Sequence, residues 1–179
     1  EAIEGTLTQH RELIASVASD LADAFARGNK VLVCGNGGSA CDAMHFAGEL
    51  VGRFVKDRTP LPAMALTADP GILTAVGNDY GFEHIFERQV RAHGKAGDML
   101  IGISTSGGSA NVLSALETAN RMEMNTVLLT GIRGKDKSHA QRIMWVPSDI
   151  TAHIQECHIT VLQLMVALVE DKLFYNKDK

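Results

Sequence analysis

The chain has no excess of positive charge. Its 179 residues carry 17 Lys and Arg against 21 Asp and Glu, for a formal net charge of −4 and a pI near 6.0. No block of like charge stands out, so no nucleic-acid partner is expected. Cysteine is scarce: Cys34, Cys41 and Cys157 are an odd number without metal-ligand spacing. That excludes a disulfide framework and a cysteine-based zinc site, and fits reduced thiols in a cytoplasmic protein. No apolar run reads as long enough to cross a membrane, and no signal-peptide pattern opens the sequence, which begins at Glu1. No membrane partner is therefore expected. Repeats, low-complexity tracts and linkers are also missing, so residues 1–179 are read as one domain. An apolar fraction of 45% and a charged fraction of 21% are ordinary for a globular chain of this length.

What the sequence does contain is concentrated in Val31 to Leu50, VLVCGNGGSACDAMHFAGEL. An apolar β-branched run turns through Gly35-Asn36-Gly37-Gly38-Ser39 into a helical pattern. Strand, glycine turn and helix start gather backbone N–H groups and a positive dipole end at one place, which suits an anion. The loop is neither a Walker A nor a spaced dinucleotide fingerprint, and a tight turn explains its glycines equally well. His45 and Glu49, four apart, share one helix face. They are read either as a surface pair or as chemistry.

Along the rest of the chain, Ile14, Val17, Leu21 and Phe25 recur at helical spacing and predict a helix over 3–27, stopped at Gly28-Asn29. Strands are predicted over 30–34, 63–66, 98–103, 126–129 and 143–146. Helices are predicted over 82–92 and 110–122, and from Pro70 to a break at 77–81. A long last helix over 151–174 turns Val161, Leu164, Met165 and Leu168 inward. Residues 53–62 and 132–141 read as loops. Helices alternating with short buried strands predict an α/β three-layer sandwich around a parallel sheet, with the ligand beyond the carboxyl ends of the strands.

A second loop shifts the balance between the two. Ser104-Thr105-Ser106-Gly107-Gly108-Ser109 also follows a buried strand and precedes a helix. Its run of hydroxyls exceeds what helix capping needs and suits a phosphate dianion. With no basic residue inside it, neutral donors and the helix dipole carry the recognition. On the last helix, Gln155 and Gln163 lie about 80° apart around the axis. With Glu156 they line one side of an apolar segment, facing a site, solvent or a subunit contact.

Taken together, CGNGGSACDAMHFAGEL, AVGNDYGF, GISTSGGSANV and HIQECHI resemble the phosphoheptose isomerases, sedoheptulose 7-phosphate isomerases of the sugar isomerase (SIS) domain superfamily. The resemblance runs from about residue 10 to about residue 174. It implies a flavodoxin-like five-stranded parallel sheet with long N- and C-terminal helices, assembled as a homotetramer with sites at subunit interfaces. It also implies that Ser104, Thr105, Ser106 and Ser109 hold the sugar phosphate, that Asn36, Gly37, Gly38, Asn78 and Asp79 contact the sugar, and that Arg53 lies near the site. By the same resemblance His45, Glu49 and Gln155 are ligands of a divalent metal, usually zinc. Glu49 is the catalytic base, with Gln155 also at the substrate.

The chain departs from that pattern at Gln163, where the family has a histidine that is both fourth metal ligand and second acid/base. A carboxamide does not shuttle protons near neutral pH and is a weaker ligand than imidazole. His158 lies about 140° around the helix from Gln163 and is a poor substitute. The expected reaction is ketose–aldose isomerisation through an enediol(ate), impaired at Gln163. Rival readings are a non-catalytic adaptor of the replication initiator protein and an isomerase of another phosphosugar. Glu49 speaks for catalysis, since an adaptor has little need of a carboxylate there.

Overall fold

In the computed structural model, residues 1–138 and 140–175 are described; His139, within the predicted loop 132–141, and residues 176–179 lie outside them. The order is α1 (Ala2–Ala26), β1 (Val31–Gly35), α2 (Gly38–Val51), β2 (Ala63–Ala65), α3 (Pro70–Tyr80), α4 (Glu87–His93), β3 (Met99–Ser104), α5 (Ala110–Arg121), β4 (Asn125–Gly131), β5 (Arg142–Val146) and α6 (Thr151–Glu170). The five strands form one parallel sheet in the order β2-β1-β3-β4-β5.

The strands alternate their side chains between two cores, as a period of two requires. Val31, Val33, Met99, Ile101, Ile103, Val127 and Leu129 pack with residues of α1, α2 and α6. Leu32, Cys34, Leu100 and Leu128 pack with Val90 of α4 and with Val112, Ala115, Leu116 and Ala119 of α5. These two helical layers and the sheet make the expected sandwich. The chain leaves β1 towards β2 on one side, while β3 lies on the other. That reversal opens a crevice at the carboxyl ends of β1 and β3, where ligands bind in sheets of this kind. The two candidate loops flank it.

Several local expectations need correction. Gly77 does not break α3, which runs to Tyr80 and stops at Gly81, whose φ of +100° suits glycine. The helix expected over 82–92 is a 3-10 turn at Phe82–His84 followed by α4. On α6, Val161 and Met165 face inward with Leu162, Val166 and Val169, but Leu164 and Leu168 are exposed; the inward stripe is rotated from the one expected. Glu156 is exposed, and only Gln155 and Gln163 are half-buried. The segment Thr151–Tyr175 is also long and apolar enough to cross a membrane by length and composition, contrary to the expectation. Its buried side packs into the domain core, so those criteria do not make it a span here.

At the opposite end of the sheet from the crevice, Asp98 is fully buried. It accepts from Asn29 Nδ2, Lys30 N and Lys95 N at 3.0 Å and from Lys30 Nζ at 2.6 Å. Burial alone would raise its carboxyl. The Lys30 ammonium and the three N–H donors outweigh it, and the group sits below the ordinary carboxylate range.

Candidate active site

The crevice is built by close backbone approach. A Cβ at Gly35 would lie 2.8 Å from the Cβ of Ser39, so the turn out of β1 closes only over glycine. Gly37 takes φ +58° as the N-cap of α2. In the second loop Gly107 has φ +66°, and a Cβ there would collide with Gly134 after β4. The loop is therefore seated on its neighbour rather than projecting freely.

The hydroxyls of the second loop fold onto the loop itself. Ser104 Oγ and Ser109 Oγ are 2.9 Å apart, and Ser106 Oγ accepts from Gly108 N at 3.2 Å. Ser109 is the N-cap of α5, but its hydroxyl turns back to Ser104 instead of capping the helix. Ser104 is buried, Ser106 exposed, and Thr105 and Ser109 half-buried. Thr105 and Ser106 also line a cavity of about 150 Å³ shared with Arg133, Ser148, Asp149, Thr151 and Ile154. Arg133 Nη2 donates to Asp149 Oδ2 at 2.5 Å. The sequence reading passed over Arg133, which falls in a stretch read only as irregular.

Asn36 and Asn111 bridge the crevice. Asn36 Nδ2 donates to Asn111 Oδ1 at 2.8 Å, and Asn111 Nδ2 donates back to Asn36 Oδ1 at 2.9 Å. Asn36 was expected to contact sugar, and one edge of its amide is occupied by this partner. Asn111 was missed, because a polar residue two positions past a serine loop looks like an ordinary first-turn helix residue.

On α2, His45 Nε2 and Glu49 Oε1 are 2.9 Å apart. One turn earlier, burial pushes the Asp42 carboxyl up, against the opposing pull of His45. Its Oδ2 has no hydrogen-bond partner among the described residues. Arg53 is exposed just past the end of α2, and Asn78 and Asp79, exposed near the end of α3, bond to each other at 2.8 Å.

Gln155 lies against the other end of α2, where its amide fills the space a Cβ at Gly38 would need. Further along, Arg58 joins the carbonyls of Glu49, Leu50 and Gly52 to Glu170 of α6. These two contacts set α2 and α6 side by side and parallel. Gln163 is about 12 Å down α6 from Gln155, and His45 and Glu49 are about 10 and 16 Å down α2 from Gly38. Gln163 is thus level with His45 and Glu49, while Gln155 is level with the glycine loop. It also falls within about 20° of Glu170 around α6, on the side turned to α2.

His158 does not join this group. It is buried, with Nε2 3.1 Å from Thr130 O. Burial lowers its pKa to about 4, with the Thr130 carbonyl opposing, so the ring is neutral and Nε2–H donates.

The glycine loop and the hydroxyl loop at the switch point of this parallel sheet, with a His/Glu pair on the helix after the first, make a candidate ligand site of an α/β domain. A family model described as SIS domain matches residues 1–131. The phosphoheptose isomerase of Geobacter sp. (strain M21) is 52% identical over 174 residues, 97% of this chain and 89% of that one. That of Aquifex aeolicus is 53% identical over 163 residues, covering 90% and 85%. The solved phosphoheptose isomerase GmhA of Neisseria gonorrhoeae aligns with a TM-score of 0.86 at 42% identity, over 95% of this chain and 91% of that one. The chain belongs to the SIS domain family and, within it, to the phosphoheptose isomerases.

Proposed function

We propose that the chain isomerises sedoheptulose 7-phosphate to the corresponding aldose, D-glycero-D-manno-heptose 7-phosphate, through an enediol(ate). The observation that carries this reading is the Glu49 carboxylate 2.9 Å from His45 Nε2, on a domain half identical to named phosphoheptose isomerases over nearly its whole length. That likeness favours the isomerase over the adaptor and over another phosphosugar as substrate.

In this reading the phosphate rests on Ser104, Thr105, Ser106 and Ser109 at the start of α5, where the helix dipole favours an anion. Asn36, Gly37 and Gly38, with Asn78 and Asp79 and with Arg53 nearby, address the polyol. Glu49 takes the proton from C1 of the ketose and returns it to C2. The proton exchanged between the two oxygens has no imidazole at position 163 to carry it. Gln163 can only donate or accept a hydrogen bond there, so turnover is lower than in a histidine form.

The donor set fits a weakly held divalent ion. His45 and Glu49 offer an imidazole and a carboxylate one turn apart, and Gln163 and Gln155 add neutral carboxamides. Zinc is the ion the resemblance implies; when bound it would stabilise the charge developing on the two substrate oxygens. The resemblance implies that such a site lies at a subunit interface. Exposed apolar residues support the same assembly, read as a homotetramer: Met44 and Val51 on α2, and Leu164 and Leu168 on α6. The expected location is cytoplasmic.

Turnover of sedoheptulose 7-phosphate by the purified chain, with product analysis, tests the reading. Conversion of other ketose phosphates in preference would shift the substrate, and no conversion of any would remove the activity.

A further inference from the structure

The Asn36–Asn111 contact has an orientation that is fixed from one end. Asn111 is the second residue of α5 and is 3% exposed. Its Oδ1 accepts from Val112 N at 2.9 Å as well as from Asn36 Nδ2. A backbone N–H only donates, so the Asn111 atom facing Val112 must be the oxygen. Its nitrogen then faces Asn36, which must answer with its oxygen, while the Asn36 nitrogen meets Asn111 Oδ1. Rotating either amide by half a turn would set oxygen against oxygen and N–H against N–H. Each amide spends one N–H and one lone pair in the ring, so what Asn36 can present to a ligand is its other N–H and its other lone pair.

The pair also spans the switch point. Asn36 follows the last residue of β1, and Asn111 lies two residues after Ser109 on the far side of the crevice, with β1 and β3 adjacent in the sheet. It joins the loop proposed for the polyol to the first turn of α5, which follows the loop proposed for the phosphate.

We propose that Asn111 is a positioning residue: it fixes the orientation of the Asn36 amide and ties the polyol loop to the phosphate loop. This rests on the substrate reading above for its effect on catalysis, but not for its effect on Asn36. Asn111 touches neither phosphate nor reacting carbons in this scheme. It determines which donor and acceptor Asn36 offers and how far they stand from the phosphate.

Two variants separate the parts. Asn111→Ala removes the ring. Asn111→Asp keeps the acceptor for Val112 and Asn36 Nδ2, so α5 retains its first turn, but it replaces the donation to Asn36 Oδ1 with an oxygen–oxygen contact and adds a negative charge, so the phosphate comparison is made on Asn111→Ala. Loss of one or two such bonds should weaken affinity for sedoheptulose 7-phosphate about tenfold. Competitive inhibition by inorganic phosphate, which needs only the Ser104–Ser109 loop, should stay within about twofold. Asn36→Ala with Asn111→Ala should be no worse than Asn36→Ala alone, because Asn111 acts through Asn36. Equal loss of phosphate and sugar-phosphate affinity, or additive losses in the double variant, would overturn the proposal. A further arm needs no substrate. In ¹⁵N-resolved NMR the Asn36 side-chain NH₂ pair should be distinct in the parent chain and collapse towards free-amide positions in Asn111→Ala. An unchanged Asn36 pair overturns the positioning role even if the isomerase reading stands. Collapse of that pair in a chain that does not turn over the sugar phosphate upholds the positioning role and rejects only the substrate.

Discussion

Arg58 Nε donates to Glu170 Oε1 at 2.8 Å, and both side chains are 2% exposed. The rest of the guanidinium bonds the carbonyls of Glu49 and Leu50 at 2.7 Å and of Gly52 at 3.0 Å. Glu170 also accepts from Phe54 N at 3.3 Å. One buried pair therefore closes the last turn of α2, seats the loop carrying Arg53 and ties both to α6. Removing one partner of a buried pair strands the other charge, which typically costs about 3–5 kcal/mol. Glu170→Ala should lower stability by that order, read as a drop in urea midpoint at unchanged slope. Arg58→Lys should also lower stability, because an ammonium cannot reach three carbonyls and a carboxylate together. A loss under about 1 kcal/mol for Glu170→Ala would contradict this account.

The fold was legible because its signals are local and repeated: buried runs such as Met99–Ser104 ending in glycine or serine, and helical spacing in α1. The two loops were legible as strand-to-helix turns at one end of the sheet for the same reason. Asn111, Arg133 and Arg58 were not, since each acts through a partner distant in sequence: Asn36, Asp149 and Glu170. The rotated apolar face of α6 was missed because Leu at 164 and 168 carries the same helical period whether it faces the core or the surface.

His158 should shape the acid side of the stability curve. Its folded pKa of about 4 lies below the ordinary 6.5 of a free side chain, because burial disfavours the imidazolium. The unfolded chain therefore binds the proton first. The stability contributed is full above pH 6.5 and is lost as the pH falls from there towards about 4. His158→Gln should flatten that stretch of a stability-against-pH curve measured by urea titration. An unchanged slope would place the proton uptake elsewhere.

Asp98 should act in the same direction at lower pH. Its folded value is depressed, so its contribution is present above the unfolded carboxyl value and lost as pH falls through the folded one. Asp98→Asn should cost roughly 2–3 kcal/mol at neutral pH, by loss of hydrogen bonds to a charged acceptor. The gap from the parent chain should close on acidification. A gap constant with pH would mean that the cost is steric.

Gln163→His restores an imidazole level with His45 and Glu49. Turnover of sedoheptulose 7-phosphate should rise by about 10²-fold or more, the usual contribution of a positioned acid/base. Zinc retained after dialysis should also rise towards one per chain by elemental analysis. A gain in bound zinc without a gain in turnover would separate the ligand role from the proton-transfer role.

The central claim is that Glu49 moves the proton between C1 and C2 of sedoheptulose 7-phosphate. Incubation in deuterated water, with deuterium followed at those carbons in substrate and product, tests it most directly. The parent chain should form the aldose with deuterium at C2 and exchange C1 of the ketose. Glu49→Gln should slow both by about 10²–10⁴-fold while still binding the sugar phosphate. Undiminished exchange in Glu49→Gln, or no exchange by the parent chain, would contradict it.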